Sequence, residues 1–277
     1  MAFESFKPEV VARQLQTDRD RDCVFKKTCY KGEMIGDIVD IGSVLHIPGV
    51  GRPTVGTYDG TEISLEKMDS TAQQLYITES PYVNVGVDRI TEKQAAGKVL
   101  ETLVGQSKEA LSRNLDEFLA GFYTQTGNTL IENSSAQAKD ILELFAVAEQ
   151  YLLEADVPFG AKKFIVISPA VYTKLILAKI VFQQPNEGIM GAGHVGQYLN
   201  MQVLVSNSIQ KSTNVNHCMA YSDQAIALAE QIPADSIEYY KPEKLFARAF
   251  KCLHLFGGTV IRPKELVRLD ITPAPEE

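Results

Sequence analysis

No stretch of this sequence approaches the roughly 20 consecutive apolar residues that span a bilayer, so no helical membrane anchor is expected. The first 21 residues carry Lys7, Arg13, Asp18, Arg19, Asp20 and Arg21 and lack the apolar run of a secretory signal. A soluble protein made in the cytoplasm is the expectation. Long basic runs are missing too: Lys26-Lys27 and Lys162-Lys163 are isolated doublets in a chain of formal net charge −8. Sequence-independent nucleic-acid binding draws on clustered Lys and Arg, which argues against a tight grip on nucleic acid. The four cysteines, Cys23, Cys29, Cys218 and Cys252, never form Cys-x-x-Cys, so neither a zinc site nor a thioredoxin-like pair is expected. Reduced thiols in a reducing cytosol are the simpler reading. His46, His194, His217 and His254 show no ligand-like spacing, and His217 and Cys218 would point to opposite faces of a strand. Gly-x-Ser-x-Gly, the nucleophile elbow of one large hydrolase class, does not occur. Catalytic residues, cofactor and metal are all expected to be none.

What is present is an ordinary globular composition, 45% hydrophobic and 22% charged over 277 residues. That length suffices for one large domain or two ordinary ones, with a core that needs no staples. Between Tyr30 and Thr91, Gly32, Gly36, Gly42, Gly49, Gly51, Gly56 and Gly60, with Pro48 and Pro53, punctuate short β-prone pieces. Val44-Leu45-His46-Ile47 and Leu75-Tyr76-Ile77-Thr78 read as strands. The 27 residues between them (48–74) hold few apolar side chains and are far too many for a tight turn. A poorly buried excursion of this length should pack on something outside its own domain.

Thr91-Glu92-Lys93-Gln94 has the form of a capping box. Leu100, Leu103, Val104, Leu111, Leu115, Phe118, Leu119 and Phe122 then keep to one side of a helix predicted over about 92–125 and stopped at Gly127-Asn128. Such a helix is roughly 50 Å long. A second helix is predicted over about 136–155, and a strand, Phe164 to Ile167, runs into Ser168-Pro169, an N-cap followed by proline in the first turn. That helix continues to about Lys179. A glycine-rich loop, Gly188 to Gly196, precedes a strand from Met201 to Ser206. Further strands are predicted around Cys218–Tyr221 and Ala225–Glu230, then Phe250–Phe256 and Thr259–Ile261 joined at Gly257-Gly258, with a frayed tail from Pro273. The class is α+β, not a regular βαβ winding.

Gly191-Ala192-Gly193-His194-Val195-Gly196 matches G-x-G-x-x-G, whose dinucleotide chemistry needs a strand before it and a helix after it. Here Gln183-Gln184-Pro185 precedes and a β-prone run follows, so a flexible loop is the better reading. A nucleotide-dependent enzyme using this loop is the remote alternative.

Taken in order, these stretches resemble the tailed-bacteriophage major capsid (coat) protein family, the Hong Kong ninety-seven type of shell fold, nearest to the P-twenty-two-like coat proteins. The resemblance covers roughly residues 30 to 270. Gly42 to Pro48 resembles the outgoing strand of the family's extended loop. Leu75-Tyr76-Ile77-Thr78 with Val87-Asp88-Arg89-Ile90 resembles its return, and 92–125 the spine helix. Phe164 to Tyr172 looks like the entry to the axial domain, Gly196 to Asn207 the strand after its loop, and Phe256 to Pro263 the closing strands of the peripheral domain.

The resemblance implies an N-terminal arm (1–30), an extended β-hairpin loop with the start of the peripheral domain (31–91), a spine helix (92–133), an axial domain (134–240), and closing strands with the tail (241–277). It implies a structural subunit of the virion that self-assembles, as pentamers and hexamers, into an icosahedral head enclosing double-stranded DNA without sequence-specific binding. Assembly would take place in the host cytoplasm, with a separate scaffolding protein and a portal as partners. In the loop, Arg52, Asp59, Glu62, Glu66 and Lys67 are candidates for intersubunit ion pairs. Gly188, Gly191, Gly193 and Gly196 are candidates for a flexible loop near the capsomer centre, where rings of five and six differ in geometry. Some members crosslink a loop lysine to an asparagine near the C-terminus. Lys67 could be such a lysine, but no asparagine follows Asn216, so non-covalent strength is expected. An encapsulin-like bacterial compartment shell, of the same fold, is the nearer alternative.

Overall fold

The computed structural model describes residues 23–30, 44–50, 53–55, 57–58, 70–88, 99–178 and 194–274. The four-residue helix α1 (Phe25–Thr28) opens it, followed by β1 (Val44–Val50) and β2 (Ser70–Tyr76), which pair antiparallel with Val44 opposite Tyr76. The two strands read from alternation are thus the arms of one ribbon. After β3 (Tyr82–Asp88) comes the long helix α2 (Val99–Ala120), which tightens into a 3-10 segment, Gly121–Gln125. The predicted start at Thr91–Gln94 lies outside the described residues. The end is corrected: the α-helix stops at Ala120, and the last predicted turn is 3-10.

Next are β4 (Asn128–Ala136), α3 (Ala138–Glu154), β5 (Lys163–Ile167) and α4 (Pro169–Leu177). Asp140 Oδ2 accepts from the Gln137 backbone N–H at 2.9 Å and so caps α3. Ser168 Oγ accepts from the Val171 N–H, with Pro169 at the first helical position, as the sequence predicts. The chain continues through β6 (His194–Tyr198), β7 (Met201–Val205), β8 (Lys211–Ser212), β9 (Val215–Ser222), β10 (Ile226–Ile232), β11 (Ile237–Tyr240), β12 (Ala247–Leu253), β13 (Leu255–Val260) and β14 (Leu266–Pro273).

The main sheet runs β4-β14-β9-β5-β7-β6, with β8 on β9 as its seventh strand. Its β14–β4 and β5–β7 pairs are parallel and the others antiparallel. Ile141, Phe145, Ala148 and Leu152 of α3 lie at the four-residue and three-residue spacings of one helix face. They join Ile165, Met201, Cys218 and Leu269 in the principal core. A second sheet, β11-β12-β3, packs on α2: Leu111, Phe250 and Cys252 form its buried centre, with Val83, Val85, Leu100, Leu103 and Val104 against it. β10 and β13 form a two-stranded ribbon between these units.

Three expectations are overturned. Gly257 and Gly258 do not join two strands; both lie inside β13, opposite Ala229 and Leu228, and the break falls at His254. Glycine is required there by close backbone approach, not by a turn. The tail is not frayed through residue 274: β14 occupies the inside of the main sheet, and the Ala274 N–H bonds the Ala136 carbonyl at 3.3 Å. His194 to Gly196, expected as the end of the glycine loop, belongs to the strand β6, which is hairpinned to β7 through Leu199-Asn200. In the main sheet β4 straddles the expected boundary between 92–133 and 134–240, and β14 comes from the 241–277 segment.

Asp116 of α2 holds α1 in place. Its carboxylate, fully buried, accepts from the Val24 N–H at 3.1 Å and the Lys26 N–H at 3.0 Å. Burial pushes this carboxyl above the usual range, and the backbone N–H bonds oppose the rise. Thr28 Oγ1 meets the Tyr221 hydroxyl at 2.6 Å, and Tyr30 bridges to Ala227, so the segment is pinned at three points. Asp116→Ala is expected to cost about 2 kcal/mol by orphaning two buried donors. Trypsin cleavage after Lys27 should accelerate in step with the fall in Tm.

Candidate functional site

Of the residues singled out from sequence, Arg52, Asp59, Glu62, Glu66 and Lys67 lie outside the described residues, as do Gly188, Gly191 and Gly193. Gly196 is described, and it is not a loop residue. It is buried in β6 opposite Val203, at a shift in register. An antiparallel strand therefore follows the glycine motif, so the helix N-terminus that would meet a pyrophosphate is not there.

The excursion returns to the body through β2, which pairs with β1. After Tyr76 the chain crosses β13, where Glu79 and Phe256 exchange backbone bonds of 3.1 and 3.0 Å. Ile47, Leu75 and Ile77 are buried there with Ala227 and Ala229, giving the ribbon a small core of its own against the body. Near the other end, Val55 and Tyr58 are exposed, as the sparse apolar content of this stretch leads one to expect.

The face of the β11-β12-β3 sheet turned away from α2 is open. Alternation along β3 buries Val87 toward α2 and exposes Tyr82, Asn84, Gly86 and Asp88. Across the ladder, Gly86 stands opposite Ala249 and Asp88 opposite Ala247. These small residues floor a cleft of ≈ 630 Å³ walled by Tyr240, Leu245 and Phe246, with Phe246 86% exposed. Tyr240 donates its hydroxyl to Asn84 Oδ1 at 2.8 Å, fixing one wall.

A buried polar group sits where the 3-10 segment after α2 meets the main sheet. Arg268 grips both oxygens of Asp270, Nε to Oδ1 and Nη2 to Oδ2, each at 2.7 Å, and His217 Nδ1 donates to Oδ1 at 2.6 Å. Tyr123 stacks on His217 at 4.4 Å and 4°, and the guanidinium lies 4.8 Å from the same ring. Burial raises the Asp270 carboxyl, but Arg268 and His217 outweigh it and hold it below its usual value. No sequence spacing announced this constellation, because its members lie at positions 123, 217, 268 and 270. As predicted, His217 and Cys218 face opposite sides: Cys218 belongs to the principal core.

Among the described residues no three of His, Cys, Asp and Glu gather as metal ligands would. Two of the thiols are held in their inert form, since burial pushes Cys23 up to about 11 and Cys218 up to about 12. Native protein near pH 8 should react slowly with a soluble alkylating agent at Cys218. Fast modification there, seen by peptide mass spectrometry, would contradict the packing.

No family model and no curated protein sequence matches the chain. Solved structures do. A structure from Mycobacterium phage Che8 is 27% identical and superposes with a TM-score of 0.79 over 97% of this chain and 98% of that one. The capsid structure of the Cyanophage P-SCSP1u matches at a TM-score of 0.76 and 15% identity, over 96% and 93%. The fold is that of tailed-phage capsid proteins. The holo-SrpI encapsulin complex from Synechococcus elongatus PCC 7942 matches less well, with a TM-score of 0.59, 10% identity and 85% of each chain.

In a capsid-protein fold, surface that is wasteful on a monomer acquires a use. Among the described residues, the ribbon β1–β2, the cleft beside Phe246 and the exposed Phe159 and Leu199 are places where apolar side chains remain exposed.

Proposed function

We propose that the chain is the major capsid protein of a tailed bacteriophage, a structural subunit and not an enzyme. The observation that carries this is end-to-end similarity: the superposition with phage structures covers nearly the whole of this chain and of its neighbours. Copies associate as pentamers and hexamers into an icosahedral head around double-stranded DNA. The acidic balance suits a wall that contains DNA without gripping it. Within the fold, the order of the sequence stretches supports a place nearest the P-twenty-two-like coat proteins. We read residues 1–30 as the arm, the excursion between β1 and β2 as the extended loop, α2 with the β11-β12-β3 sheet as the peripheral part, and the main sheet as the axial part.

In this reading the loop rests on a neighbouring subunit, with Arg52, Asp59, Glu62, Glu66 and Lys67 forming ion pairs there. Exposed pairs contribute under about 1 kcal/mol each. The shell therefore relies on many weak contacts acting together, which keeps assembly correctable. Gly188, Gly191 and Gly193 would ease the fit near the capsomer centre. A separate scaffolding protein and a portal are the expected partners, the virion the final location and the host cytoplasm the place of assembly. Because no asparagine follows Asn216, mature shells should dissociate to single subunits on a boiled, reduced gel.

A bacterial compartment shell of encapsulin type is the second reading, favoured by the shared fold and disfavoured by the weaker superposition. Electron microscopy of the chain expressed alone and with its neighbouring genes decides. Closed polyhedral shells, tubes or discrete rings support the reading, and DNA rather than enzyme cargo inside separates phage head from compartment. A compact monomer under every condition would sink both.

A further inference from the structure

We infer that the end of the main sheet carrying Phe159, Leu199 and Lys163 is a contact surface for a second copy of this chain, which presents a carboxylate to Lys163. The inference rests on the shell reading above and adds a site to it. Lys163, the first residue of β5, is 1% exposed. Its ammonium finds no hydrogen-bond acceptor among the described residues, only the ring of Phe159, 5.5 Å away. Glu265, bonded to the Ser222 hydroxyl opposite Lys163 in the ladder, is already engaged by Arg262 at 2.9 Å. A buried cation without a counter-charge is costly, so natural chains keep one where something else completes it.

What lies over this cation is apolar and exposed. Phe159 is 70% exposed, and the Asn200 side-chain amide, bonding the Phe159 carbonyl, ties it to the β6–β7 hairpin tip. At that tip Leu199 is 52% exposed with φ 51°, a left-handed conformation that favours Gly or Asn. A branched apolar residue held in strain and pointed at solvent does nothing for the isolated fold. It is suited to burial against a partner. The apolar rim around a single desolvated cation fits a protein carboxylate better than a nucleic-acid backbone, which would call for several exposed cations. A second copy supplies such groups, since the chain carries 35 acidic against 27 basic residues. On docking, the Phe159 ring swings aside and the incoming carboxylate takes its place over the ammonium.

Two substitutions and one crosslink test this in the full-length chain under conditions where the wild type forms shells. Leu199→Asn relieves strain, so the unassembled subunit should melt higher while the concentration threshold for assembly rises by about tenfold. A residue kept only for folding would move both the other way. Lys163→Met keeps the volume and removes the charge, and it should leave the subunit's circular dichroism and Tm intact or improved while assembly weakens comparably. A benzophenone amino acid at position 159 should crosslink to an acidic segment of another copy in shells and to nothing in free subunits. Wild-type assembly by both variants, or a crosslink to nucleic acid, overturns the inference and leaves the capsid reading standing. Failure of the wild-type chain to assemble in any condition overturns both.

Discussion

Gly257→Ala is expected to lower the Tm of the subunit by roughly 10 °C, a loss on the order of 4 kcal/mol for a single methyl group. A Cβ built at Gly257 would lie 2.1 Å from the Tyr76 carbonyl oxygen and 2.8 Å from both the Tyr76 carbonyl carbon and Ile77 Cα. All three are backbone atoms, so no rotamer change makes room. Either β13 leaves β10 or the chain leaving β2 lifts off β13. The first breaks a ladder; the second exposes Leu75 and Ile77 and frees the Glu79–Phe256 bridge. Gly258→Ala is the internal control. There the new methyl meets the Phe122 ring at 3.1 Å, which a small side-chain shift relieves, and the Ala227 carbonyl at 3.2 Å, where a shift of a few tenths of an ångström suffices. Thermal unfolding of both variants should separate them by several degrees. Equal Tm values would mean that the β2–β13 seam is not where the extended ribbon is fastened. Assembly should fail in Gly257→Ala even below its Tm, because the ribbon departs from this seam.

The same pair of glycines marks where reading from sequence stops. Gly-Gly between β-prone runs reads as a turn, and only the third chain passing over it explains the choice. Elsewhere the local chemistry was sufficient. Phe164–Ile167 was legible because a short β-branched run buried on both faces has nowhere else to go, and Ser168-Pro169 spells its own helix start. The long one-sided helix was legible from the spacing of Leu111, Leu115 and Leu119, which are all buried. β4 and β14 were not. No strand was expected over either stretch, although β14 lies between two strands of the main sheet. The polarity of β14 is tolerated there because Arg268 and Asp270 pair with each other and His217 of β9 joins them, a relation that local periodicity does not encode. The β6–β7 hairpin was missed for a related reason: Leu199-Asn200 is not a turn dipeptide that favours a hairpin, since Leu199 must take a positive φ there. The contact residues proposed from sequence were charged side chains in a polar excursion. The sites the structure adds, at Phe159, Leu199 and Phe246, are apolar ones whose exposure no single-chain pattern predicts.

Asp270→Ala should cost about 3–5 kcal/mol at pH 7, the usual penalty for removing one partner of a buried ion pair. The carboxylate bonds both Arg268 and His217, so its loss removes the anion that stands between the guanidinium and the imidazole nitrogen. It also loosens the stack of Tyr123 on His217, which ties the segment after α2 to the main sheet. The orientation of the long helix relative to that sheet depends on this joint, and shells need that orientation repeated from copy to copy. The penalty should be pH-dependent with a definite sign. Because Asp270 is held below its usual value in the folded chain, its contribution is fully present above the ordinary aspartate pKa of about 3.9 and fades as pH falls through the lower folded value. Asp270→Asn, which keeps the shape and removes the charge, should therefore be clearly less stable than wild type at pH 7. The gap between the two should narrow toward the acid end of a denaturant series run from pH 7 to pH 3. A gap that stays constant across that range would assign the residue a packing role alone. Narrowing would identify the Arg268–Asp270–His217 joint as one element of acid lability in the subunit and, through it, in the shell.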